Sequence, residues 1–264
     1  MPSFWDTFFY LTNRLTPARS LTRFCGRIAD CEWAPLKNFL IQSFIKYYAI
    51  NMTEAESIDL NTYKSFNAFF TRKLNPDSFF VDKTPNALVS PAQGIISRLY
   101  QLGESFYCES KNLSLRGDLL VSTQFLNGSD LVRVLYLSPA DYHRVHAPCD
   151  GVVINIQRHE GRLLSVAPRL LKIHPTLLQE NDRVTITLKT DFGFVNVVLV
   201  GAMIVGSIQL KEEKLPYKVE RGDELGYFKL GSTVIILTPP LVEFYTDEGK
   251  VQMGSRLGHF KKES

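Results

Sequence analysis

Long apolar runs are missing from this 264-residue chain, and so are paired cysteines, low-complexity tracts and a dominant charge of one sign. The most apolar stretch, Phe194 to Ile208, is broken by Asn196, Gly201 and Gly206. It falls short of the roughly 20 residues a helix needs to cross a bilayer. The net charge is only +3. No arginine-rich run and no basic stretch interleaved with aromatics accompanies it, which argues against a nucleic-acid partner. Cys25, Cys31, Cys108 and Cys149 are scattered and form no CxxC pair. They read as reduced structural thiols of an intracellular protein. No basic segment followed by an apolar core and a small-residue cleavage site opens the chain, so export is not expected.

What is present is an ordinary globular composition, 45% apolar and 22% charged, enough to bury a real core. Residues 1–80 read as helical. Phe4, Trp5, Phe8, Phe9, Leu11, Leu15, Leu21, Phe24 and Ile28 recur at spacings of three and four, Pro17 punctuates the run, and Pro35 opens a further helix with Phe39, Leu40, Phe44 and Tyr47. Arg14, Arg19, Arg23 and Arg27 lie among these aromatics, and residues 1–50 carry six Lys/Arg against three Asp/Glu. The segment is either a helical layer packed on the core or an amphipathic anchor with arginines on anionic headgroups. Both need one apolar face, so periodicity leaves the choice open.

After Asn86 the texture changes to short β-branched runs broken by Gly, Pro, Asn and Asp. Strands are expected over 132–137, 152–157, 184–188, 195–200, 203–208 and 233–237. The fold class is therefore α+β: a helical, membrane-associating region over 1–80, followed by a mostly antiparallel β-rich catalytic domain over 81–264.

Two segments carry the chemistry. Ser138-Pro-Ala-Asp-Tyr-His-Arg-Val-His146 sets His143 and His146 three apart in a Pro-bounded loop, and Leu230-Gly-Ser-Thr233 precedes an apolar strand. Two histidines at this spacing would supply half of a zinc site. No further His, Cys or carboxylate stands where it would complete one, so no metal is expected.

Together with Phe66-Asn-Ala-Phe-Phe-Thr-Arg-Lys-Leu74, Val89-Ser-Pro-Ala-Gln-Gly94 and Val200-Gly-Ala-Met-Ile-Val-Gly-Ser207, these segments closely resemble the phosphatidylserine decarboxylase family in order and spacing. The resemblance implies a self-processing proenzyme. Ser232 attacks the carbonyl of Gly231, the amide becomes an ester, and elimination leaves a pyruvoyl group on the new N-terminus. That group serves as electron sink through a Schiff base with the substrate amine, a role no ordinary side chain fills. Carried over in the same way, His146 is the general base for Ser232 and the residue at position 93 orients His146. His143 is the candidate proton donor to Cα, because an imidazole near its own pKa suits that transfer, the alternative being a structural hydrogen bond to backbone. At position 93 the family has Asp and this chain has Gln93. A glutamine carbonyl accepts a hydrogen bond but does not offset an imidazolium charge, so the motif by itself predicts that Gln93→Asp accelerates self-cleavage. Asp141 and Asp150 are alternative orienting carboxylates.

The implied substrate is phosphatidylserine, converted to phosphatidylethanolamine at an anionic membrane surface, peripherally on the cytoplasmic face of the cell membrane. The two cleavage fragments are expected to stay associated, and homo-oligomerisation is left open. Two other readings stand beside this one: an unprocessed lipid-binding relative in which Gln93 has abolished maturation, and a pyruvoyl enzyme acting on a soluble amino acid.

Overall fold

The computed structural model describes residues 18–103, 105–110, 113–166, 168–202, 207–229 and 232–261. The aromatic run from Phe4 to Leu15, and Gly231, lie outside them. The architecture is α+β, with helices confined mostly to the N-terminal part and an antiparallel sheet filling the rest.

Helix α1 spans Ala18–Ala29 and α2 spans Ala34–Tyr48. Pro35 sits in the first turn of α2, where a missing N–H is harmless. A third, five-residue helix, α3 (Phe66–Phe70), is capped by Ser65, whose side chain accepts from the Ala68 N–H. Phe44, Phe66, Phe69 and Phe70 meet edge-on or tilted, with ring centroids 5.2–6.2 Å apart. This aromatic cluster joins the helices and reaches Ala140 in the histidine loop.

Outside α3, residues 49–80 depart from the helical reading of residues 1–80. Asn51, Asp59 and Asn75 each accept a backbone N–H two residues on and start single 3-10 turns. Such side chains offer the backbone an alternative to helical bonding.

The main sheet runs Tyr217–Val219, Gly151–His159, Arg183–Thr190, Gly193–Val200, Ser232–Thr238, Leu131–Leu137, Gly94–Ile96 and Gly249–Val251, with Tyr100–Gln101 also paired to Leu131–Leu137. Neighbouring pairs are antiparallel. Five of the six expected strands are present; of the sixth, residues 203–206 lie outside the described residues and Ser207–Leu210 is a strand.

Both faces of the sheet centre are covered. Val234 and Ile236 point into one apolar cluster with Leu135, Val197 and Leu199; Ile235 and Leu237 point into a second with Val132, Val134 and Val198. Burial on two faces explains why these strands read as continuous apolar runs and not as an alternation. A separate three-stranded sheet places Arg144–His146 beside Glu224–Lys229, which pairs in turn with Ser207–Leu210.

Candidate active site

The sheet register brings the two chemical segments to one end of the molecule. Ser232 opens its strand opposite Leu137, the residue before the Ser138–His146 loop. The Phe228 N–H donates to the His143 carbonyl at 3.0 Å, tying the strand before Ser232 to the same loop. Ser232 is buried and its Oγ has no hydrogen-bond partner among the described residues.

The loop is shaped by Asp141, whose Oδ2 accepts from both the N–H and the hydroxyl of Ser138 at 2.7 Å. That carboxylate is therefore engaged in a turn. Asp150 accepts the Arg221 N–H at 2.8 Å. Neither hydrogen-bonds the imidazole of His146.

His143 is fully buried. Its Nδ1 lies 2.7 Å from the Asp141 carbonyl, which only accepts, so Nδ1 carries the proton. The free lone pair is on Nε2, which is buried and without a partner. The Phe70 ring covers the imidazole at 4.1 Å between centroids. Burial, opposed by the Asp141 hydrogen bond and reinforced by Arg72, pushes its pKa down to about 3. The resting ring is neutral.

His146 is held at both nitrogens. Nδ1 donates to the Gly222 carbonyl at 2.7 Å, and Nε2 accepts from the Tyr142 hydroxyl at 3.0 Å. Burial lowers the pKa of His146; the Gly222 carbonyl, Glu224 and Asp223 raise it, and Arg144 lowers it. Tyr142 is itself buried, its pKa raised chiefly by desolvation, so its hydroxyl keeps its proton.

The carbonyl on Nδ1 belongs to a firmly built turn. Asp223 Oδ2 accepts the Glu220 N–H at 2.7 Å, the Gly222 N–H donates to Ala147 O at 2.9 Å, and the Ala147 N–H donates to Asp223 O at 2.7 Å. Gly222 has φ +91°, and a Cβ there would stand 2.8 Å from Val81 Cγ2. Glycine is required by both the left-handed backbone and the close approach.

Gln93 is half-buried in the loop that crosses the histidine strand, where the His146 N–H donates to Pro91 O at 2.8 Å. Its side chain makes no hydrogen bond. It lines a cavity of about 340 Å³ with Glu54, Phe79, Phe80 and Met253. The structure thus brings Ser232, His143 and His146 to one region and puts Gly222 and Tyr142, not Gln93, on the His146 ring.

Tyr142, Gly222 and the Arg144–Glu224 ion pair (2.7 Å) are site components that motif reading missed. The Glu220-Arg-Gly-Asp223 turn was the available signal, since a Gly beside Asp marks a turn needing positive φ.

A family model for phosphatidylserine decarboxylase matches residues 66–259, and a model described as PSD matches residues 8–49. The chain belongs to the phosphatidylserine decarboxylase family. It is 36% identical to a phosphatidylserine decarboxylase proenzyme of Bordetella petrii over 97% of this chain and 96% of that one. A Coxiella burnetii proenzyme of the same name is 38% identical, covering 86% of this chain and 88% of its own length. One from Ectopseudomonas mendocina is 38% identical over 95% and 97% respectively. As a member of this family the chain is a carboxy-lyase.

Proposed function

We propose that this decarboxylase acts on phosphatidylserine, releasing phosphatidylethanolamine, after cleaving itself between Gly231 and Ser232. The observation that carries the reading is that Ser232 Oγ and His143 Nε2, the two atoms the chemistry needs, are among the buried polar atoms without a partner among the described residues. Buried polar atoms are almost always bonded, and exceptions call for a chemical reason. A serine that becomes a pyruvoyl group, and an imidazole facing its substrate, would both leave such atoms unpaired in the uncleaved chain. The residues therefore fit the group, which would supply the electron sink for the charge left at Cα when carbon dioxide departs.

The chain's own residues account for the remaining tasks. His146, neutral and with its proton fixed on Nδ1, has its basic lone pair on Nε2, the nitrogen able to take the Ser232 hydroxyl proton once Tyr142 yields it. As the Ser232 oxygen bonds to the Gly231 carbonyl carbon, the C–N bond breaks and the amine nitrogen gains the proton, giving an ester. Loss of the Ser232 Cα proton then expels the Gly231 carboxylate, and water releases the nitrogen as ammonia to leave the pyruvoyl carbonyl. His143 delivers a proton to the substrate carbon from Nε2, after picking one up in a site where burial keeps it weakly bound. The small fragment would stay in place, because Ser232–Thr238 lies between Gly193–Val200 and Leu131–Leu137 in the sheet centre.

Docking at a lipid surface is supported by Phe24, Trp33, Phe39 and Tyr47, which are 61–82% exposed on or beside α1 and α2, with Arg23, Arg27 and Lys46 among them. Among the described residues no helix is long and apolar enough to cross a membrane. A peripheral position on the anionic cytoplasmic face fits these aromatics and cations.

Intact-mass measurement tests the reading. The expected result is loss of the 30.0 kDa species, with a small fragment from Ser232 to Ser264 whose N-terminus is blocked, and no loss in Ser232→Ala. A chain that persists uncut would leave the unprocessed lipid-binding reading in its place.

A further inference from the structure

Four Lys or Arg side chains are buried among the described residues: Lys37, Arg72, Arg133 and Arg183. Three of them donate to backbone carbonyls, although Arg133 and Arg183 each keep a buried Nε without a partner among the described residues. Lys37 donates to Tyr63 O, Arg133 to Ser97 O and Thr246 O, and Arg183 to Gln179 O, Asn181 O and Leu119 O. Arg72 is different. It is 7% exposed, and among the described residues its side chain makes no hydrogen bond and no ion pair and its buried Nη1 has no partner. The guanidinium rests 5.1 Å over the Phe69 ring, and Glu54 acts on it only from beyond ion-pair distance. Removing a cation from water without an anion or hydrogen-bond acceptors is strongly unfavourable.

Its position ties this isolated charge to the site. Arg72 follows the C-cap of α3, where Thr71 O accepts Arg144 Nε at 2.9 Å and Phe70 stacks on His143. The Arg72 charge acts on both His143 and Tyr142.

We infer that Arg72 is the seat of an oxyanion, a carboxylate or a phosphodiester, bound beside His143. A guanidinium presents donors in a planar fork that matches either group bidentately. A glycerophosphoserine headgroup carries both, so the inference rests on the proposed substrate for the identity of the anion, while the vacant donors alone call for one. An anion seated there would also neutralise the charge that disfavours protonation of His143, so occupation of the site and readiness of the acid would rise together.

The test uses the uncut Ser232→Ala chain and its Arg72→Met and Arg72→Lys forms, with melting temperature as readout. Glycerophosphoserine is expected to raise the melting temperature of the Arg72 chain, and Arg72→Met to weaken the affinity by about thirtyfold or more. Arg72→Met is also expected to leave the ligand-free melting temperature unchanged or higher, because it removes an unpaired buried charge. Arg72→Lys keeps the charge without the fork and covers the event that Arg72→Met does not fold; its affinity should fall between the two.

Inorganic phosphate and glycerophosphoethanolamine stabilising where L-serine does not assigns the site to the phosphodiester; the opposite pattern assigns it to the carboxylate. Equal shifts in parent and variants, no shift with any anion, or a lowered ligand-free melting temperature in Arg72→Met would overturn the inference and make Arg72 structural. Arg72-dependent binding, together with a failure of the chain that retains Ser232 to cleave, would leave the anion site standing and remove the self-cleavage reading.

Discussion

The Gly222 carbonyl is the most direct handle on how the base is oriented. Gly222→Ala puts a Cβ 2.8 Å from Val81 Cγ2 and 3.2 Å from Cγ1, on a backbone with φ +91°. The left-handed conformation costs an L-residue roughly 1–2 kcal/mol, and Val81, a side chain, gives way only in part. Relief comes from moving the turn, which withdraws the acceptor from His146 Nδ1, now at 2.7 Å. A buried donor left unsatisfied costs about 1–3 kcal/mol, and the imidazole is then free to turn or to change tautomer. At ~1.4 kcal/mol per tenfold, self-cleavage should slow by about 10- to 100-fold.

Gln93→Asp should change the rate by less than about threefold, because His146 Nδ1 is already bonded to Gly222 O and position 93 lines a cavity with Glu54, Phe79 and Met253. The motif alone predicts an acceleration; the bonded imidazole reverses that expectation. The assay is the half-life of the intact chain by mass, with circular dichroism confirming that each variant is folded. Strong acceleration by Gln93→Asp, together with a normal rate in folded Gly222→Ala, would refute the reasoning and return the orienting role to position 93.

The buried histidines should make the fold acid-sensitive. His143 titrates at about 3 in the folded chain against an ordinary 6.5, so the stability its neutral form permits is complete above about pH 6.5 and is lost as pH falls toward the folded value. The loss from His143 is about 1.4 kcal/mol per pH unit, or about 2 kcal/mol by pH 5. Asp130, held up to about 6 by burial, pulls the other way below that pH. Urea unfolding of the Ser232→Ala chain with and without His143→Gln isolates the difference, and coincident pH profiles would count against it. Co-sedimentation with anionic vesicles should fall when Trp33 and Phe39 are both replaced by Ser, and should weaken with salt over a screening length of ~8–10 Å. Unchanged binding by the folded double variant would place the lipid contact elsewhere.

The sequence by itself determined the parts whose signal is local. Pro35 with the spacing of Phe39, Leu40 and Phe44 was enough for α2. The apolar run Val234–Leu237 was enough for a strand, and the residue types Ser232, His143 and His146 were enough for the chemistry they resemble. Several other features depend on partners distant in the chain. The strand Arg144–His146 is three residues long, too short to show a period; it exists because Glu224–Lys229 pairs with it. The bond that fixes the His146 tautomer joins residues 76 positions apart, and no spacing rule connects them. The same holds for Gln93 and Arg72. One occupies the motif position expected to orient the base and makes no bond to it; the other sits in an unremarked part of a recognised motif and makes no ion pair among the described residues. Burial and hydrogen bonding are properties of the packed chain, settled by what the fold places opposite each side chain, so only the tertiary structure decided them.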